Sequence, residues 1–373
     1  MSRSSLPVSR RGFLAGAGAL AGAVTLGACG NPDKLKGSGP GSGGNQLVVY
    51  DGGGAWGQAQ RKVLFQPFEK ETGIKVVPAP APPAAQLRTA ISAGKPGMDV
   101  VDLNGARIGS WARDGLLQEI DYTKWNDPSL KGKFDPYPAQ QHAVPAIIFA
   151  VQLAYDRQAL GRDMTGWADM WNGSLPGKRS FRTGDGPGGG TLEIALLADG
   201  VAPKDLYPID MERALRKLSQ VRSNVLKFWD NGAESIQMLV DKQITGVAAW
   251  NGRIESALAG GAKNIQSTFA QAIVQIDYWA IPKGAANVEG ALRFIEFASK
   301  PERQAEFAQE ITYAPTVKSA YDHIPAERQK LLATAPGLSG TVLQNMEYWS
   351  SQDKSGKTME EIAIDRWQKW LSS

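Results

Sequence analysis

The chain has 373 residues, 42% of them hydrophobic and 21% charged, with a formal net charge of +4. That is the balance of a soluble globular protein with room for two domains of ordinary size. A single cysteine, Cys29, excludes an intrachain disulfide, and two histidines, His142 and His323, leave little for a zinc or haem site.

Residues 1–28 read as a targeting segment. SRRGFL (9–14) places twin arginines before the apolar run FLAGAGALAGAVTLGA, which ends in LGAC (26–29). Twin arginines direct the export of proteins that have already folded. LGAC looks like a lipobox, whose cysteine is acylated and becomes the first residue; the run is short and glycine-rich for a membrane-spanning helix. Losing residues 1–28 removes Arg3, Arg10 and Arg11 and no acid, which lowers the net charge from +4 to +1. A nearly neutral protein gives no electrostatic case for nucleic acid. Residues 29–45, Cys29 followed by GNPDKLKGSGPGSGGN, read as a flexible tether.

The folded part begins at LVVY (47–50), a short apolar strand. A helix follows, with Ala59, Val63, Leu64 and Phe68 on one face and Gly73 as its stop; Pro67 should bend or shorten it. IKVVP and MDVVDLN are further strands, with AAQLRTAISAG as a helix between them and IGSWARDG as a helix after them. AVPAIIFAVQLAYD (143–156) and IVQIDYWAIPKG (273–284) are long extended runs, each a candidate crossover between lobes. Between them lie the helices TLEIALLADG, MERALRKLSQVRS and ESIQMLVDKQ and the strand GVAAW. A helix pair follows, with Pro301 opening its second member. The C-terminal TMEEIAIDRWQKWL carries Met359, Ile362, Ala363, Trp367, Trp370 and Leu371 on one face, the pattern of a helix packed on its own lobe. Strands alternating with helices predict a parallel or mixed α/β sheet.

GGGAWG (52–57) has the G-x-G-x-x-G spacing of a dinucleotide-binding loop. The ribose-binding acid expected at the end of the second strand is missing, because that strand runs into Pro78 and APAPP. No G-x-S-x-G elbow and no acid/base pair stands out, and GDGPGGG (184–190) lacks the Gly-Lys-Ser/Thr of a phosphate loop. The chain therefore reads as a non-enzyme without cofactor or metal. What remains is a set of aromatic and polar residues at strand ends: Trp56, Asp102, Asn104, Trp250, and Asp277 beside Tyr278 and Trp279. In open α/β sheets the ligand crevice lies there.

FEKETGIKV (68–76), DGLLQEID (114–121), TGWADMW (165–171), AAWNGR (248–253), AIPKGAANVEGALRFIEFASKPE (280–302) and YAPT (313–316) resemble bacterial extracytoplasmic solute-binding proteins of ABC transporters, of the spermidine/putrescine-binding type. The resemblance covers nearly all of 46–373. It implies a two-lobed, type II periplasmic-binding-protein fold with hinge crossovers and an interlobe cleft. The expected lobes are 46–148 with 279–325, and 149–278 with 326–373. It implies a small cationic, polyamine-like solute with an ABC permease and ATPase as partners; with the LGAC lipid anchor, a monomer held outside the cytoplasm is expected. By the same resemblance Trp56, Trp250 and Tyr313 are ligand-facing rings, Asp277 binds an ammonium end, and Asn104 lines the cleft. Asp185 fits the first of two acids in a second ammonium clamp; glycines replace the other, and Glu193 is the nearest remaining carboxylate. Tyr155, Trp229 and Trp279 are further candidates with core packing as the competing role. A thiamine-like cation or an aminophosphonate resting on GDGPGGG are alternative ligands, and an exported cofactor-binding enzyme is the rival class. Trp faces attract ammonium groups by about 0.5–2 kcal/mol each.

Overall fold

A computed structural model describes residues 45–80, 82–183 and 190–373, all within one compact unit, Pro40–Ser373. The signal segment, Cys29, all but the last residue of the tether, and Asp185 lie outside the described residues.

The first strand, β1 (Gln46–Asp51), buries Leu47, Val49 and Asp51 in alternation. A continuous helical stretch follows: α1 (Gly54–Ala59), a wider π-type segment Gln60–Phe65, and α2 (Gln66–Thr72). The π-type segment falls just ahead of Pro67, where Gln66 N–H reaches back five residues to the Arg61 carbonyl. Proline has no N–H to donate, so a break in the usual bonding register is expected there. The helix widens ahead of Pro67, and Gly73 ends it at φ 72°. β2 (Lys75–Pro80) pairs in parallel with β1 alone. Pro78 and Pro80 sit in this strand because an edge tolerates a missing donor.

After α3 (Ala84–Ser92) come β3 (Val101–Asn104) and α4 (Gly105–Arg113). The first long run is β4 (Val144–Asp156), buried along its whole length, followed by the short α5 (Arg157–Leu160). β5 (Arg179–Arg182), α6 (Thr191–Ala198), α7 (Met211–Val221), β6 (Val225–Trp229), α8 (Gly232–Val240), β7 (Gly246–Trp250) and α9 (Asn251–Ala259) build the middle of the chain. The second long run is β8 (Ile265–Ala280), and it begins earlier than its apolar stretch suggests. Its upstream part, QSTFAQA, carries a bulge where the partner of β4 jumps from Ile273 to Thr268 and Gln271 takes φ 59°. Trp167 Nε1 donates to the Gln271 carbonyl at 2.8 Å and holds the bulge. Then come α10 (Val288–Ser299), α11 (Pro301–Glu310) with Pro301 in its first turn, α12 (Ala326–Gln329), β9 (Val342–Leu343), α13 (Met346–Ser350) and α14 (Met359–Ser372).

The main sheet has the order β3-β8-β4-β7-β5-β6, with β9 beside β8. It is mixed: β8 runs antiparallel to β3 and β4, β4 antiparallel to β7, and β5 parallel to β6 and β7. One hydrophobic cluster joins β1, the first helices, α10 and α11; others join the remaining elements, and Trp250 packs against all three. The helix α14 starts with a Thr358–Glu361 capping box and buries Trp367 and Trp370 edge-on to Phe228, at 5.1 and 5.5 Å between centroids. It is packed on its own chain, as its periodicity predicts.

Glu193, in the first turn of α6, is fully buried. Its Oε1 accepts from Tyr207 Oη (2.9 Å), Gln344 Nε2 (2.8 Å) and Trp349 Nε1 (2.9 Å), which ties α6 to the segments around β9 and α13. Burial pushes its carboxyl upward and these donors pull it back. Glu193→Leu leaves three donors without their acceptor. Denaturant titration is expected to show a loss of about 2–5 kcal/mol in unfolding free energy, with ligand affinity unchanged.

Candidate functional site

The turn after β1 is organised by its own polar groups. Asp51 Oδ1 accepts from Gly53 N–H at 2.8 Å, and the same carboxylate pairs with Arg61. Gln60, fully buried in the π-type segment, accepts from Gly52 N–H (3.1 Å) and donates to the Tyr50 carbonyl (3.2 Å). Gly53 and Gly54 both take positive φ, at 67° and 53°, a backbone that glycine adopts without strain. A Cβ on Gly57 would lie 1.9 Å from Asp51 Oδ1. One on Gly52 would lie 2.3 Å from the Trp56 ring. The G-x-G-x-x-G spacing thus serves to fold the turn over Asp51 and to seat Trp56.

Trp56 is one wall of a cavity of about 140 Å³, whose lining also includes Tyr50, Gly52, Asp102, Ile147, Phe149, Trp250, Arg253, Asp277 and Tyr313. These residues come from the end of β1, from β3, β4 and β8, from the β7–α9 junction and from the loop after α11. The rings are mutually braced. Trp56 and Tyr313 are 5.4 Å apart, Phe149 lies 6.2 Å from Trp250 and 6.1 Å from Tyr313, and Trp229 stands edge-on behind Trp250 at 5.2 Å. Trp250 itself is seated on Gly232, where a Cβ would meet its ring at 2.5 Å.

The charged residues are of both signs. Asp102 and Asp277 lie on adjacent strands, in a register that pairs Asn104 with Asp277. Burial pushes Asp102 well above the usual carboxylate range, and the Asp277 charge adds to it. Asp277 is pushed up to about 6 by burial, against the pull of an Asn104 hydrogen bond and of Arg107 and Arg182. Burial of both carboxyls, with the Asp277 charge acting on Asp102, disfavours two bare charges on these strands. Burial likewise pushes Tyr313 up to about 12. Arg253 is half-buried; among the described residues it has no ion-pair partner and its Nε has no hydrogen-bond partner. A Cβ on Gly54 would lie 3.3 Å from its guanidinium, so the glycine turn leaves room for it.

Of the residues expected from sequence, Trp56, Trp250, Asp277 and Tyr313 converge on this cavity. Asn104 stands behind it: its Nδ2 donates to Asp277 Oδ1 at 3.3 Å while its Oδ1 caps α4 through Ala106 N–H. Trp229 backs Trp250 and donates to the Ala248 carbonyl at 3.0 Å. Trp279 packs edge-on against Phe294 at 5.9 Å, within the β1-side core. Tyr155 lies near the far end of β4, its hydroxyl bonded to Asp163 at 3.1 Å, and Glu193 is enclosed as described above. Sequence reasoning left Tyr50, Phe149 and Arg253 out of the site and offered Asp102 only as a strand end. The signal available was position: Tyr50 and Asp102 are at or next to strand ends, and Arg253 closes the AAWNGR stretch.

The chain matches the bacterial extracellular solute-binding protein family over residues 64–334. It belongs to that family. The gamma-aminobutyric acid-binding protein of Pseudomonas aeruginosa is 34% identical over 311 residues, 81% of this chain and 86% of the relative. Spermidine/putrescine-binding periplasmic protein 1 of Haemophilus influenzae is 27% identical over 351 residues, 91% and 93% of the two chains. An ABC transporter substrate-binding protein from Bradyrhizobium japonicum superposes with a TM-score of 0.79 at 31% identity, covering 88% of this chain and all of that one. The fold is the two-lobed α/β architecture of periplasmic binding proteins. Like its family, the protein is a non-enzymatic, extracytoplasmic receptor that binds a small-molecule solute and works with ABC transporter components. Among the described residues no helix is long and apolar enough to cross a membrane, and no group of three metal-ligating side chains occurs.

The carboxylate pair makes the solute-free protein sensitive to pH. The folded state holds its proton more tightly than the unfolded chain does. The pair therefore stabilises the fold fully below the ordinary carboxylate pKa, about 4, and that contribution is lost as pH rises through about 6. Scanning calorimetry of solute-free protein is expected to show this term as a rise of about 1–3 °C in Tm between pH 7.5 and pH 5. Asp277→Asn should flatten the dependence.

Proposed function

We propose that the protein captures a small zwitterion, with an ammonium at one end and a carboxylate at the other, and delivers it to an ABC importer. An ω-amino acid such as gamma-aminobutyrate is the class intended. The observation that carries this reading is Arg253 lining the same cavity as Asp102 and Asp277. A guanidinium presents paired donors that match a carboxylate, and the acid pair accepts an ammonium through charge-assisted bonds. Trp56, Trp250 and Tyr313 would cover the methylenes between. The relative that is 34% identical is a gamma-aminobutyric acid-binding protein, which supports the same class.

A polyamine is the second reading, favoured by the two acids, the aromatic walls and the polyamine-binding relatives. Arg253 argues against it, because a second ammonium would face a guanidinium. Titration calorimetry with gamma-aminobutyrate, putrescine and spermidine separates the two. The amino acid is expected to bind best. Arg253→Gln should cost it about 2–5 kcal/mol and leave putrescine unharmed or improved. Tighter binding of putrescine to the wild-type protein would decide for the polyamine.

The same reading keeps 46–148 with 279–325 and 149–278 with 326–373 as the lobes of a monomer. Twin-Arg export and acylation of Cys29 would place it on a lipid leash. Cys29→Ser should release the protein from the membrane fraction without changing solute affinity. An N-terminal peptide of wild-type protein lacking acyl mass would remove the anchor.

A further inference from the structure

We propose that Asn251 is the positioning residue of the ligand cavity, the side chain that holds Phe149, Trp250 and Tyr313 in mutual register. The inference rests on the cavity being the solute site, and it concerns a residue outside the cavity lining. Asn251 is the first residue of α9 and is fully buried. Its Oδ1 accepts from the Ala150 N–H at 3.0 Å, and its Nδ2 donates to the Thr312 carbonyl at 2.6 Å. Ala150 follows Phe149, Thr312 precedes Tyr313, and Trp250 precedes Asn251 itself.

Strand pairing shows why a side chain is needed there. One edge of β4 pairs with β7 from Tyr155 to Val151, where the partner is Trp250. Beyond that point β7 turns into α9. Further along the same strand, Ile148 exchanges two backbone hydrogen bonds with Ala314, at 3.0 and 2.8 Å. Ala150 falls in the joint between these two partners. The Asn251 amide fills the joint, continuing the ladder one residue past the strand and reaching on to the second partner. An amide suits this position because it has an acceptor and a donor on one planar group. The next residue completes the seat. A Cβ on Gly252 would lie 2.5 Å from the Tyr313 ring, and Gly252 is helical, so its lack of a side chain serves the ring and not the backbone. In the run Trp250–Arg253, the first residue is a wall, the second a tie, the third a seat and the fourth a charge.

The test begins without any solute. Crystal structures of Asn251→Ala and Gly252→Ala are compared with wild type, together with ¹⁹F spectra of protein carrying 5-fluorotryptophan. Asn251→Ala is expected to displace the Trp250 and Tyr313 rings by about 1 Å or more, a shift on the scale that degrades a site. The Trp250 resonance should move while that of Trp367 in α14 stays. Gly252→Ala should displace Tyr313 alone. Rings unmoved in Asn251→Ala would overturn the proposal. Calorimetry with gamma-aminobutyrate and putrescine, well below the melting temperature, should then show about tenfold weaker binding of whichever probe the wild type takes. A variant that melts lower yet binds like wild type would make Asn251 merely structural and would also overturn it. Wild-type protein that takes neither probe would defeat the ligand class, while the ring displacements would still decide the positioning role. Should Asn251→Ala fail to fold, Asn251→Asp keeps the acceptor for Ala150 and loses the donor to Thr312; it is expected to move Tyr313 and spare Trp250, and an unmoved Tyr313 would again overturn the proposal.

Discussion

The antiparallel pairing of β4 with β8 is the constraint on which the rest of the molecule depends. These strands of 13 and 16 residues lie side by side in the sheet, and β3, β7 and β9 each pair directly with one of them. β8 receives β3 and β9, and β4 receives β7 and, further along, the segment that carries Tyr313. Their register sets Ile147 opposite Asp277, two lining residues from neighbouring strands. A slip of one residue would turn Asp277 to the opposite face and empty the cavity of its best-placed charge. The pairing therefore fixes the site before any loop contributes.

What the helices add is charge balance. Two buried carboxylates are unfavourable neighbours, and the arginines around them differ in kind. Arg107 is engaged by Glu360 at 2.9 Å and acts on Asp277 only through its field. Arg253 has no such partner among the described residues and opens directly on the cavity. The acids of β3 and β8 and the Arg253 guanidinium thus line one cavity with charge of both signs. The rings that share this lining lower the local dielectric and strengthen any charged contact made there.

Much of this was legible in the sequence because it depends on local pattern. The apolar runs at 143–156 and 273–284 are long and unbroken, and they are β4 and the downstream part of β8. Trp56 and Trp250 follow or end short strands, which in this kind of sheet puts them at the crevice. Arg253 was not legible in this way. An arginine one turn into a helix looks like any exposed charge, and only the approach of the glycine turn at 52–54 makes it a wall. Asp102 and Asn104 share one face of β3, so periodicity cannot say which meets solute and which stands behind. Glu193 and Tyr155 show the converse: a carboxylate and a phenol can be claimed by Trp349, Gln344 or Asp163, partners that no local pattern announces.

The rings of the cavity rest on positions that have no side chain. Gly232 lies under Trp250 and Gly252 under Tyr313, and neither belongs to the cavity lining. The shape of the cavity is thus encoded one layer behind its lining. A single methyl group at either glycine would collide with a ring of the lining, and something would have to move. Two receptors with the same lining residues can therefore differ in the shape of their cavities.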